Sequence, residues 1–332
     1  MHSKRLLFLG IESTAHTFGA AVVASDGRIM SDVRQVYRGT NGSGIHPAEA
    51  SHHHAKYAPH VVKEALKKAN VKMKDITAIS YSAGPGLGPC LRVGAVVARS
   101  LSSYFSKPLI PVNHAVGHIE LGCLLTGATD PVCLLVSGGH TALLSSSRGR
   151  WRFFGETLDI TIGQLLDQFG RALKLSSPCG AEIEKLAGKG SKYIQLPYTV
   201  KGNDMSFSGL LTSAKKLIGS NNVEDIAYSL QETAFSMLCE VTERALAFTE
   251  KKELLVVGGV AANRRLSIML EEVCKRQGAK LFVPPIEYSG DCGSQIGWAG
   301  AKHYSQGFSV KPEEGFVRQK WRVDEVQIPW RS

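Results

Sequence analysis

Val132-Cys-Leu-Leu-Val136, Ser137-Gly-Gly-His140, Thr141-Ala-Leu-Leu-Ser-Ser-Ser147, Arg148-Gly149 and Trp151-Arg-Phe-Phe-Gly-Glu156 follow one another in the middle of the chain. They read as strand, tight turn, strand, hairpin turn, strand. The chain opens in the same order. Arg5 to Ile11 is a buried strand, Glu12-Ser13-Thr14 a polar turn and Phe18 to Ala24 a second strand. Asp26-Gly27 is then a hairpin turn, and Ile29 to Tyr37 a third strand. A unit that recurs in this way, each copy followed by helices and a further strand, predicts two similar α/β domains facing each other across a central cleft. Their expected extents are 1–131 and 132–332, with the last helix and the tail packing back on the N-terminal half. The turns Glu12-Ser13-Thr14 and Ser137-Gly138-Gly139 then meet near a ligand. Glycine at such a turn lets backbone N–H groups come close to phosphate oxygens.

Further segments fill in the two halves. Gly39 to Gly44 reads as a loop, and Pro47 to Asn70 as a long helix with Pro near its favoured first-turn position. That helix carries His52, His53, His54 and His60, which are either a metal cluster or polar surface. Consecutive histidines point in different directions on a helix, which favours surface. Ile76 to Ser82 is a strand, and Ala83 to Pro89 a glycine-rich loop before a helix from Leu91 to Phe105. Such a loop either holds an anion at the helix N-terminus or makes a tight crossover. It has neither the Lys-Ser/Thr of a P-loop nor the dinucleotide fingerprint.

In the second half, Thr161 to Leu173 is a helix carrying Asp167, and Pro178 to Glu184 opens another through Gly180. Tyr198 to Gly209 reads as a loop, and Val223 to Lys251 as a long helix. Leu254 to Val257 is a strand, Gly258 to Asn263 leads into a helix ending at Gln277, and Lys280 to Val283 is a last strand. A strand that ends in Gly-Gly before a helix leaves room for an adenine ring.

His114-Ala115-Val116-Gly117-His118 follows the short strand Pro108 to Asn113. Residues four apart share a helix face, so both imidazoles can reach one metal ion. Ala115 stands where metalloprotease helices have Glu, and the pair needs a third ligand from elsewhere. Asp291, just before a helix that runs to about Ser305, is either that ligand or a helix N-cap.

Composition limits the possible functions. The 332 residues are 43% hydrophobic and carry a formal net charge of +10, which fits a polyanionic partner such as nucleic acid. The seven cysteines are unclustered, which suggests reduced thiols in a cytoplasmic protein. No stretch is long enough to span a bilayer, and the N-terminus does not read as a signal peptide.

Several of these stretches together resemble the universal tRNA threonylcarbamoyltransferase family, called TsaD in bacteria. They are Gly10 to Ala15, Gly44 to Pro47, Gly84 to Gly94, His114 to His118, Val136 to Gly139, Gly155 to Asp159, Ser206 to Gly209, Gly258 to Asn263 and Asp291. The tail Asp324 to Trp330 is similar to the archaeal and eukaryotic branch, the catalytic subunit of the KEOPS complex. The resemblance implies the duplicated fold of actin, hexokinase and the heat-shock ATPases (ASKHA). It implies transfer of threonylcarbamoyl from threonylcarbamoyl-AMP to N6 of the adenosine 3′ of the anticodon, in tRNAs reading ANN codons. His114, His118 and Asp291 would hold one iron or zinc ion. Leu135, Val136, Ser137, Gly138, Gly139, Asp167, Gly180, Glu184 and Asn263 would bind the adenylate. No general base is identified, Asp167 being a guess. The partners implied are tRNA, a small atypical protein kinase and two small KEOPS subunits, expected here as separate chains.

Two residues depart from that branch. Leu135 stands where its members usually have a metal-ligating Tyr, and His140 where they usually have Asn. Three other readings compete. One is a metalloprotease acting on glycoproteins, which Ala115 argues against. Another is a small-molecule kinase of the same fold, for which Glu12 and Asp167 supply the acidic groups. The third is a non-catalytic tRNA-binding scaffold.

Overall fold

The computed structural model describes residues 5–39 and 44–331. Most of the loop expected at Gly39 to Gly44 therefore lies outside the described residues. The first half contains β1 (Leu7–Glu12), β2 (Thr17–Ala24), β3 (Ile29–Val36), α1 (Pro47–Lys68), β4 (Ala78–Gly84), α2 (Gly88–Phe105), β5 (Leu109–Asn113) and α3 (His114–Thr126). The second contains β6 (Val132–Val136), β7 (Thr141–Ser147), β8 (Arg150–Glu156), α4 (Ile162–Ala172), α5 (Gly180–Ala187), the short pair β9 (Val200–Lys201) and β10 (Asp204–Met205), and α6 (Ser208–Lys216). It continues through α7 (Val223–Thr249), β11 (Glu253–Val257), α8 (Arg264–Gln277), β12 (Lys280–Phe282) and α9 (Gly293–Ser305).

The sheets run β3-β2-β1-β4-β5 and β8-β7-β6-β11-β12, so the second repeats the strand order of the first. In each, the first three strands are antiparallel and the last two add in parallel. The expected duplication is thus present as two α/β units. β1, β2 and β6 are buried along nearly their whole length, as strands covered on both faces must be.

The linking helices are exchanged between the sheets. α3 follows β5 but covers the second sheet: a Cβ on Gly122 would lie 2.7 Å from the Val257 side chain. α9 follows β12 but covers the first sheet. Gly293, Gly297 and Gly300 lie along one face of α9; Gly10 and Gly19 on β1 and β2 face the first two, and Ser80 of β4 faces Gly300. A Cβ on Gly10 would lie 2.2 Å from the Gly293 carbonyl and 2.3 Å from the Gly297 nitrogen. Backbone meets backbone here, and no side chain fits between.

Element limits differ from the reading of the sequence by a few residues, with one larger difference, in the segment from Tyr198 to Gly209. α2 begins at Gly88, inside the glycine-rich stretch. α3 begins at His114 itself, because the Asn113 side chain caps it by accepting from the Ala115 and Val116 amides. The segment read as a loop at Tyr198 to Gly209 contains the β9–β10 pair and the start of α6. Asp159 organises that turn: its carboxylate accepts from the Ser206 and Ser208 hydroxyls and from the Phe207 and Ser208 amides. No local pattern shows a cap supplied from so far away.

The glycine-rich loop is a crossover. Its Leu87 amide donates to Thr14 O and its Gly86 amide to Gln319 O. Of the histidines on α1, His54 is buried with Nε2 3.0 Å from Ala15 O, while His52 and His60 are exposed. All seven cysteines are free and buried. Among the described residues no helix is long and apolar enough to cross a membrane.

Gly10→Ala is expected to destabilise the fold by about 1–3 kcal/mol or more through overpacking. Gly209→Ala, which meets no atom within 4 Å, should change stability by no more than about 0.5 kcal/mol. Denaturation midpoints compare the two.

A second expectation concerns acid. Burial lowers both His54 and His303 from 6.5 to about 4. Each is neutral in the fold and takes up a proton readily once unfolded. Their contribution is complete above 6.5 and is lost as pH falls toward 4. Tm should drop across that range, and less steeply in His303→Phe.

Candidate metal and nucleotide site

The capped first turn of α3 places His114 and His118 on one buried face, with ring centroids 4.7 Å apart and planes at 90°. Asp291 arrives on the turn before α9, from the other exchanged helix. Its Oδ1 lies 3.4 Å from His114 Nε2 and 3.2 Å from His118 Nε2. Two ligands each about 2.1 Å from one ion are about 3.0 Å apart at a right angle and about 3.4 Å apart at a tetrahedral angle. Both separations fall in that range. Among the described residues this is the one group of three His, Cys, Asp or Glu side chains spaced to hold a metal ion.

Asp291 is not the helix cap. Cys292 occupies the N-cap position without a side-chain cap bond. Asp32 of β3 instead accepts from the Ser294 amide at 2.9 Å and from its hydroxyl. With that end of the helix satisfied by another strand, the Asp291 carboxylate is left facing the histidines.

Glu12, fully buried, has Oε2 3.0 Å from His114 Nδ1, and Gln295 Nε2 is 3.1 Å from the same nitrogen. The carboxylate therefore directs a proton onto Nδ1 and leaves Nε2 toward Asp291, as metal-binding histidines are commonly held. Glu12 is committed to this task rather than to kinase chemistry. Burial alone would lower the pKa of His114, but Glu12 and Asp291 outweigh it and hold the imidazole at about 9. Burial would raise the pKa of Asp291, yet His114 and the hydrogen bond to His118 pull it below the usual carboxylate range. Burial lowers His118. The carboxylates that favour a proton on His114 also favour a divalent cation at its Nε2. His140 lies beside His114, ring centroids 6.4 Å apart and 25° from parallel, and burial with the neighbouring histidines lowers its pKa to about 3.

Of the other expected residues, Leu135 to Gly139 lie at the C-terminal end of β6 and Asn263 follows β11, while Asp167 lies on α4 and Gly180 and Glu184 on α5. The Ser137 hydroxyl accepts from the Gly139 and His140 amides, so those N–H groups are turned inward. Thr161, at the start of α4, donates to Gly138 O. Gly138 has open space around it, whereas a Cβ on Gly258 would lie 2.3 Å from Val136 O. Gly258 has φ of +99°, so it is structural; Gly259 meets nothing within 4 Å. Asn263 caps α8 by accepting from Leu266 N and donates to Gln231. Glu184 accepts from Arg264 N and ties α5 to the same helix start. Asp167 accepts from Ser177 Oγ and Cys179 N, fixing the turn that leads to Gly180. Leu135 and Val136 are buried, so Val136 faces the site through its backbone only.

A sequence-family profile described as TsaD, tRNA N6-adenosine threonylcarbamoyltransferase, matches residues 29–298. A protein of that name from Thermofilum pendens is 50% identical over 331 residues, covering 99% of this chain and 98% of its own. The chain belongs to this family. Like the other threonylcarbamoyltransferases it is a transferase. A probable bifunctional tRNA threonylcarbamoyladenosine biosynthesis protein from Methanothermobacter thermautotrophicus is 51% identical over 326 residues, which are 98% of this chain but 61% of that protein. Among solved structures, HypF of T. kodakarensis overlays with a TM-score of 0.66 at 15% identity, over 95% of this chain and 49% of that one. That likeness concerns the fold, which is the actin, hexokinase and heat-shock ATPase architecture.

Gln295 was not singled out from the sequence, and Glu12 was singled out for a different role. A polar residue in an apolar helix, two residues past the start of α9, is the signal that would have found Gln295.

Elemental analysis is expected to find about one metal per chain, and His118→Ala to lose most of it with the fold kept. Glu12→Gln should keep all three ligands but weaken metal affinity by about 10- to 100-fold. Full metal retention by His118→Ala would rule out the cluster as the binding site.

Proposed function

We propose that this transferase moves the threonylcarbamoyl group of threonylcarbamoyl-AMP onto N6 of the adenosine 3′ of the anticodon in tRNAs reading ANN codons, at a centre formed by His114, His118 and Asp291. The observation that carries the reading is the convergence of three potential ligands on one point, beside the Ser137-Gly138-Gly139 turn. In the reaction, N6 forms a bond to the carbamoyl carbon and the bond from that carbon to the AMP phosphate oxygen breaks. AMP leaves with the electron pair, and N6 releases one proton. AMP is already a good leaving group, so placement contributes more than proton transfer.

Two histidines and one carboxylate suit iron(II) or zinc and leave coordination positions open. A divalent ion held there by His114, His118 and Asp291 would supply Lewis-acid stabilisation of the charge that develops on the carbonyl. Leu135 cannot coordinate, so the protein offers three ligands. Glu12 holds the His114 ring so that Nε2 faces the centre. Ser137, Gly138 and Gly139 lie against the phosphate and carbamoyl groups, with Gly138 leaving space for close approach. Gly259 leaves room for the adenine ring, and Asn263, Glu184 and Gly180 border the nucleoside. Asp167 keeps the turn before Gly180 in place, which favours a positioning role over that of a base.

The partners of this reading are tRNA, a small atypical kinase and two small KEOPS-type subunits in the cytoplasm. The extra length of the bifunctional relative supports a partner domain. The net charge of +10 supports tRNA contact, although phosphate contacts alone discriminate little between sequences.

Reconstitution from purified chains, with nucleoside analysis of the tRNA, tests the reading. Modification should be efficient with partners and adenylate present and poor with this chain and adenylate alone. Gly259→Val, which the fold accommodates, should abolish adenylate binding by calorimetry without changing metal content. No modified nucleoside with every partner present would overturn the function.

A further inference from the structure

A cavity of about 390 Å³ lies between the second sheet and the C-terminal tail. One wall is Leu135, Ala142, Leu144 and Phe153 from β6, β7 and β8, and the facing wall is Trp321 and Val323 of the tail. His140 and Thr141 stand at its inner end, and Lys320 and Arg322 border it from the tail. The cavity is thus an apolar slot with polar groups at one end and Lys320 and Arg322 along its tail side, where Arg322 pairs with Glu156 of the lining.

Its inner end is one ring away from the proposed metal centre, because His140 lies nearly parallel to His114 with centroids 6.4 Å apart. The cavity also touches Gly139 and Thr161, so it meets the donor-binding turn at that end. The tail wall is firmly held. Asn113 Nδ2 donates to Trp321 O, the Arg318 amide donates to Ala83 O, and Arg322 pairs with Glu156 and lies 4.4 Å above the Phe153 ring. Lys320 and Arg92 are exposed, and among the described residues neither has a carboxylate within ion-pair distance. Arg92 and Gln319 both border the space beside Gly88, which continues the basic edge along the tail.

We infer that this cavity receives the acceptor adenine of the tRNA. The inference rests on the reaction proposed above and gives that reaction a second substrate site. A purine slides between the sheet and the tail with its exocyclic amine inward, toward His140 and the metal centre. Its ribose-phosphate stays outside among Lys320, Arg322 and Arg92. A base in a single-stranded loop is unstacked at small cost, and aromatic and apolar walls bind the face of any base. Direction comes from the inner polar groups. The donor adenylate and the acceptor base then approach the centre from two sides and meet at Leu135 and Gly139.

Two experiments test this on the full chain with its partners. In the first, the unaltered chain is photocrosslinked to an anticodon stem-loop carrying a photoreactive purine at the acceptor position. Crosslinks are expected at Pro85 or within 135–161 or 320–323, and crosslinks confined to other segments would overturn the site. In the second, Ala142→Phe fills the slot and Phe153→Ala removes one wall. Each should lower transfer at limiting tRNA by about tenfold or more, with metal content and adenylate binding unchanged. Undiminished transfer, or loss of adenylate binding instead, would assign the cavity elsewhere. Crosslinking within the cavity by a chain that makes no modified nucleoside would keep the site and overturn only the reaction.

Discussion

The contact on which the rest depends is the one between bare backbones, where Gly293 and Gly297 of α9 lie on Gly10 and Gly19 of β1 and β2. It draws a helix of the second half down onto the first sheet. α3 makes the reciprocal move onto the second sheet. The two helices then touch at their N-terminal ends, where Gly117 faces Gln295 with only 3.2 Å available for a Cβ. His114, His118 and Asp291 all sit at those ends. A larger residue at Gly10 or Gly297 would separate the halves and shift the third ligand away from the first two.

The electrostatics follow from that geometry. Each helix start needs its first amides satisfied, and both needs are met by residues outside the ligand set. Asn113 caps α3, and Asp32 reaches across from β3 to cap α9. The ligands are consequently free to face each other. Glu12 then sets the orientation of His114 from behind. Arg331 holds the same helix farther along, forming a two-pronged pair with the buried Glu120 and lying above Trp151.

Much of this was legible in the sequence. The repeated strand-turn-strand-hairpin-strand pattern led to the two matching sheets, because alternation and turn chemistry are local properties. The two histidines four residues apart were visible for the same reason. What stayed ambiguous depended on distant residues. Whether Asp291 caps α9 or faces the histidines is decided by Asp32, 262 positions from Ser294. The turn from β9 into α6 is decided by Asp159, far upstream of the segment it caps. The exchange of α3 and α9 left a trace in the glycines of β1 and α9, but nothing local says which strand a helix glycine will meet.

The distance along the chain between the ligands bears on how the protein is made. His118 and Asp291 are 173 residues apart. At about 5–20 residues per second of synthesis, roughly ten seconds or more pass between their appearances. The histidine pair emerges well before its third partner, and the partner is delivered only when α9 docks on a sheet made at the very start. Capture of an ion at the proposed centre would therefore be an event of the finished chain rather than of the nascent one. A bound ion would certify that the first and last thirds of the polypeptide have found each other.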